Sequence, residues 1–222
     1  MSTKKQITIL LFFLSCSFVK GQTNFRFGLL PNCNLNYSIT DDWQLNFKLE
    51  SRAILYQNNW DFNYRLTDAS FLITKRIGAF SKVNFGYLHR FTGGSFVNRT
   101  IQQLTIVTPL TQTRLAHRFA LDQTFGSNSP LVFRLRYRAG LEFSLQGEEI
   151  NNHEGYFKIT SEVLNHFSVQ PYLLEIRLTP SLGYLISAHH KVELGLDYRL
   201  ADLINNSPKH DLWTCIRWYI KV

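Results

Sequence analysis

From Leu131 to Leu145 the chain alternates without a break. Leu131, Phe133, Leu135, Tyr137, Ala139, Leu141, Phe143 and Leu145 occupy one set of positions; Val132, Arg134, Arg136, Arg138, Gly140, Glu142 and Ser144 occupy the other. Successive side chains of a strand point to opposite faces. A period of two therefore predicts an extended strand with one mostly apolar face and one charged face. Wound as a helix, the three arginines would scatter around the cylinder. The stretch is far longer than the roughly 5–6 residues of an ordinary strand, and about 9–11 residues suffice to cross a bilayer at a tilt.

The same alternation returns in about eleven segments. Phe25 to Ile39 keeps Phe25, Phe27, Leu29, Cys33, Leu35 and Tyr37 in phase, with Pro31 among them as a sign of an edge or bulge. After the polar turn Thr40-Asp41-Asp42, Trp43, Leu45, Phe47 and Leu49 alternate with Gln44, Asn46, Lys48, Glu50 and Arg52. Trp60, Phe62, Tyr64 and Leu66 share one phase and Ala69, Phe71 and Ile73 the other, so a β-bulge is expected at Thr67-Asp68. Later segments set Leu115, Phe119 and Leu121 against Arg114, Arg118 and Asp122, and Leu174, Ile176 and Leu178 against Glu175 and Arg177. Leu194, Leu196 and Tyr198 likewise oppose Glu193, Asp197 and Arg199. The connections are polar, no segment has a helical period, and no linker divides the chain. The expected fold is all-β: an antiparallel transmembrane β-barrel of about 10–12 strands, one domain over residues 22–222. Single-chain bacterial barrels have an even strand count, which favours ten or twelve over the eleven segments counted.

Composition agrees with that fold. Aromatic residues make up 14% of the chain, with 18 Phe and 10 Tyr. Strands favour aromatics, and outer-membrane barrels use them in girdles. The net charge of +8 raises a nucleic-acid reading. The basic residues alternate along strands instead of clustering, which argues against that partner. Residues 1–21 read as a secretory signal: Lys4 and Lys5, the apolar run Ile7 to Leu14, and Val19 and Gly21 at the −3 and −1 positions of a cleavage site. Their removal takes away three lysines and leaves +5 (8 minus 3). Phe13-Leu14-Ser15 is a poor lipobox before Cys16. Cys33 and Cys215 fall on opposite kinds of face and are expected to stay unpaired. No metal-ligand spacing appears.

Several short motifs together resemble the bacterial domain-of-unknown-function family 2490. They are Phe85-Gly86-Tyr87, Arg99 with Gln102-Gln103, Thr108-Pro109-Leu110, His117-Arg118-Phe119 with Asp122-Gln123, and Arg134-Leu135-Arg136-Tyr137-Arg138. Glu162 with Asn165, Glu175-Ile176-Arg177 and Gly195 to Tyr198 extend the resemblance, which runs from about Lys82 to Arg199. Glu175 stands where the pattern has Asn, and Asp122 where it has Glu. The resemblance implies an outer-membrane β-barrel of Gram-negative bacteria. It implies no activity.

The charged face carries the candidate chemistry. Arg52, Arg118, Arg134, Arg136, Arg138, Arg177 and Arg199 are expected to share it with Glu50, Asp122, Glu142, Glu162, Glu175, Glu193 and Asp197, and Arg65 and Arg90 join them. Inside a narrow barrel such charges must pair, because an unpaired buried charge is costly. The expectation is a cross-strand salt-bridge lattice bracing a charged lumen; arginine-lined passage of anions or polar solutes is the functional reading. No catalytic residue, metal or cofactor is expected. Outer-membrane lipids and the barrel-assembly machinery are the expected partners, in the cell outer membrane; the oligomeric state is open. Two alternatives remain. A lipid-modifying barrel enzyme would need a base such as His89 or His117 beside a nucleophile such as Ser70 or Ser161. A soluble periplasmic lipid-binding barrel would turn its apolar faces inward.

Overall fold

The computed structural model describes residues 24–222 except 112, 127–128, 168–171 and 206–207; the expected signal segment lies outside the described residues. Eleven strands account for most of the chain: β1 (Asn24–Ser38), β2 (Trp43–Gln57), β3 (Asn59–Arg76), β4 (Ser81–Thr92), β5 (Ser95–Pro109), β6 (Thr113–Gly126), β7 (Ser129–Ser144), β8 (Glu154–Phe167), β9 (Leu173–Leu185), β10 (His190–Ala201) and β11 (Lys209–Lys221). Each pairs with its sequence neighbours, and β1 pairs with β11 to close the barrel.

The closure corrects the expected even count. An up-and-down chain with an odd number of strands brings its first and last strands together pointing the same way. β1 and β11 therefore pair in parallel, in unbroken register from Asn24↔Lys209 to Asn36↔Lys221, while the other neighbouring pairs are antiparallel. The chain consequently enters at one rim and leaves at the other. The edge or bulge that Pro31 suggested is not found at that position: β1 has neighbours on both sides, Pro31 sits opposite Ile216 in the parallel pair, and the register shift of β1 against β2 falls between Phe27 and Gly28.

The expected bulge in the third strand is present, two residues early. Register with β2 shifts between Arg52 and Ala53, so that Arg52 faces Leu66 and Ala53 faces Tyr64, with Arg65 skipped. The shift carries Trp60, Phe62 and Tyr64 into the phase opposite to Ala69, Phe71 and Ile73. Pairing of β3 with β4 begins only at Thr67↔Phe91, so the β2–β3 hairpin stands beyond its neighbour. Trp60 there is 74% exposed and packs against Phe27 and Tyr56.

Alternation sorts the two faces as the period of two requires. Phe47, Phe85, Leu135, Leu182, Leu194 and Ile216 are exposed on the outer surface, whereas Glu193, Glu162 and Asp122 are buried within. The interior also holds an apolar cluster, Leu30, Ile54, Trp213 and Cys215, against the seam. Glycine makes room for it. A Cβ on Gly28 would stand 2.6 Å from the Trp213 ring. One on Gly183 would overlap the ring of the buried Tyr156. Cys33 and Cys215 are both free thiols.

Candidate functional site

The fourteen residues assigned to a charged lumen all point inward. Twelve line a single cavity of about 860 Å³ to which every strand contributes; Asp122 and Glu193 lie buried beneath its wall. Inward positions of neighbouring strands come level through the register, so the charges form rows across the sheet. One row runs from β6 to β1: Arg118 faces Arg138, which faces Glu162, then Arg177, Arg199, Asp211 and Arg26. Like charges directly opposite repel. Here Arg118 faces Arg138 and Arg177 faces Arg199, and the carboxylates set between them offset the repulsion.

The row resolves into hubs. Glu162 sits within 4 Å of four guanidinium groups: Arg138 at 3.0 Å, Arg177 at 3.4 Å, Arg136 at 3.6 Å and Arg118 at 3.7 Å. Arg177 also donates to Glu175 at 2.6 Å. Asp122, wholly buried, accepts from Arg134 and Arg136. Arg199 donates to Asp197 at 2.8 Å. Toward the seam, Glu50 holds Lys48 at 2.5 Å and Arg52 at 2.7 Å. A hub with five partners is Glu193. It accepts from the Tyr156 hydroxyl at 2.8 Å, Lys158 at 2.9 Å and the Tyr219 hydroxyl at 3.1 Å, with Arg217 at 3.5 Å and Lys191 at 3.8 Å. Glu142 belongs to a looser pair with the exposed Arg114, 3.3 Å away.

Arg65 is the exception among the expected lumen arginines. The bulge turns it out of phase, and it is exposed on the projecting hairpin. Lumen charges outside the expected set are Asp68, which takes two nitrogens of Arg90 at 2.7 Å, and Asp211, which takes two of Arg26 at 2.6 and 2.7 Å. Lys158, Lys191, Arg217 and Arg99 also line the cavity. Arg26, Asp211 and Arg217 alternate with apolar neighbours, so the same period-two reading extended to the chain ends would have reached them. Asp68 was obscured by the phase slip.

Arg99 had no such signal. On β5 the faces do not separate: Ile101 and Val107 face inward beside Arg99, while Thr100 and Gln102 face outward. The outward amides are satisfied locally. Gln102 and Gln123 exchange hydrogen bonds of 3.1 and 2.9 Å, and Thr100 donates to the same Gln123 oxygen.

His89 and His117 lie on the outer face. The His89 Nδ1 is 2.6 Å from the Asn98 side-chain oxygen, and the His117 Nδ1 is 2.9 Å from the Tyr137 hydroxyl. Ser70 lines the lumen, on the opposite face from His89, and Ser161 is separated from His117 by β7. The structure thus does not bring those histidines and serines together.

The sequence pattern of the family described as "Protein of unknown function (DUF2490)" matches residues 27–210. The chain belongs to that family. The match takes in ten of the eleven strands and the start of β11, a wider span than the motifs from Lys82 to Arg199. No curated protein and no solved structure matches the chain. In this DUF2490 barrel the ordered motifs map to the lumen lattice: the His117-Arg118-Phe119 and Asp122-Gln123 motifs supply Arg118 and Asp122, the arginine-rich motif supplies Arg134 to Arg138, and the later ones supply Glu162, Glu175, Arg177 and Asp197.

Proposed function

We propose that this chain is an exported outer-membrane β-barrel without enzymatic activity, with a structural role or a limited solute-passage role through a charged, ion-paired lumen. The observation that carries this reading is the polarity of the wall. Leu182, Leu194 and Phe85 are 58–64% exposed on the outside, while Glu193 and Glu162 are 2% exposed inside. In water, so broad an apolar surface is an aggregation hazard. In a bilayer it is the surface required, because a closed barrel satisfies its backbone internally. Strands of 12–18 residues exceed the roughly 9–11 needed to cross at a tilt. A soluble lipid-binding barrel would line its lumen with apolar side chains; this lumen carries the charges instead.

The lattice favours bracing over free flow. Its ion pairs tie together strands that lie one or two apart around the wall, β6 to β8, β7 to β8 and β8 to β10. Lipids and the assembly machinery are then the barrel's partners, with residues 1–21 as the export signal. Fractionation followed by gel migration with and without boiling tests the reading. Recovery with the outer membrane and a shift on boiling are expected. A freely soluble protein with no shift overturns it. Reconstitution in vesicles then separates the roles: a sealed lumen assigns bracing, and conductance that falls in Arg136→Ala assigns passage.

A further inference from the structure

The interior holds more positive charge than its carboxylates neutralise. Sixteen lysine and arginine side chains line the cavity. They face nine carboxylates, seven in the cavity lining plus the buried Asp122 and Glu193. The other described carboxylates, such as Asp61, Glu148 and Asp202, lie outside the lining, and residues outside the described set contain no Asp or Glu. The excess of seven cations is not spread evenly, and it is most acute at Arg99.

Arg99 is 7% exposed and borders the cavity. Its one side-chain hydrogen bond among the described residues runs from Nε to the Thr124 hydroxyl, at 2.8 Å. None of the ion pairs within 4 Å among the described residues includes it. The carboxylates in electrostatic reach, Asp68 and Asp122, are committed elsewhere. Asp68 takes Nε and one terminal nitrogen of Arg90, and Asp122 takes Arg134 and Arg136. Arg90 and Arg136 add like charge on either side. Three strands further on, facing Arg134 across β7–β8, the His166 Nε2 is buried without a hydrogen-bond partner, 3.9 Å from the Glu175 carboxylate. A buried guanidinium with no counter-ion and like-charged neighbours is costly, and it keeps its terminal N–H donors for whatever enters the cavity.

We propose that the wall beside Arg99, flanked by Arg90 and Arg136, is a binding site for one small tetrahedral oxyanion of the phosphate or sulfate type. The guanidinium fork matches such an anion with two parallel hydrogen bonds. The anion neutralises charge that the chain's own carboxylates leave over. The site takes a free anion or a small phosphomonoester, because the acyl chains of a lipid phosphate have no place in a lumen lined by charge. The inference does not depend on which membrane or compartment holds the barrel.

The test is calorimetric titration of the purified full-length mature barrel, in detergent or in plain buffer as its solubility dictates, with inorganic phosphate and with sulfate at constant ionic strength. Saturable binding near one equivalent is expected, with glycerol phosphate competing and a short-chain phosphatidate not competing. Arg99→Gln is expected to weaken phosphate binding by about tenfold or more, the share of one charge-assisted fork. Arg99→Lys retains part of it, and Arg65→Gln on the outer hairpin leaves it unchanged. Non-saturating heats in the parent protein overturn the proposal without recourse to any variant. So does a folded Arg99→Gln barrel, shown by its shift on boiling or its strand circular dichroism, that binds phosphate as the parent does. Competition by the phosphatidate alone also overturns it.

Discussion

Removing the charge of Glu193 is expected to cost more than removing any exposed ion pair of the barrel. Its side chain is wholly buried and holds Lys158 at 2.9 Å, with Arg217 at 3.5 Å and Lys191 at 3.8 Å. The Tyr156 and Tyr219 hydroxyls donate to it as well. Glu193→Gln keeps the shape, with one acceptor oxygen for one tyrosine hydroxyl and an amide N–H that donates to the other. The three cations lose their counter-charge. Breaking one side of a buried pair costs about 3–5 kcal/mol, because the surviving charge stays buried without compensation. The comparison is Arg114→Gln, which removes a 62% exposed arginine from a 3.3 Å pair and is expected to cost about 1 kcal/mol or less. Urea unfolding in detergent micelles, followed by tryptophan fluorescence, measures both. A second step separates charge from packing. In the double variant Glu193→Gln with Lys158→Met, one stranded cation is gone, and about 1–2 kcal/mol of the loss should return. A Glu193→Gln barrel as stable as Arg114→Gln, or a double variant no more stable than the single, would refute the reasoning.

Gly183→Ala should destabilise the barrel by about 1–3 kcal/mol, because the new methyl overlaps the Tyr156 ring and forces a packed side chain off its position; equal stability in the same unfolding assay contradicts the notch. Cys215 is fully buried and Cys33 lies on the outer face, so a membrane-permeant maleimide should label Cys33 in the folded barrel and Cys215 only after unfolding, and equal labelling rates would count against the assigned faces. Asp202, in the exposed β10–β11 turn, accepts from Asn205 at 2.7 Å and Lys209 at 3.2 Å, and these hydrogen bonds hold its carboxyl below the usual value of 3.8. A depressed carboxyl contributes to the turn at neutral pH and loses that contribution as pH falls through its lowered titration point. An NMR titration of Asp202 with a midpoint above 3.8 would contradict this.

What the sequence determined by itself is local. A strand's side chains must alternate, so the order of residues alone decided that Arg134, Arg136 and Arg138 share a face with Glu142, and that Leu135 and Tyr137 do not. The same rule yielded eleven segments and the phase slip in the third. It failed where the pattern has no sign, as on β5, where Ile101 and Arg99 point the same way. Closure is a property of the whole ring. Only the tertiary structure decided that β1 meets β11 in parallel and makes eleven strands sufficient. Only the register around the barrel decided which carboxylate meets which cation. Glu193 finds Lys158 from two strands away, Glu162 gathers four arginines, and Arg99 is left with none. The bulge that sends Arg65 outward acts through the same register. Alternation tells a residue which side of the wall it faces; the tilt and stagger of the strands choose its neighbours there.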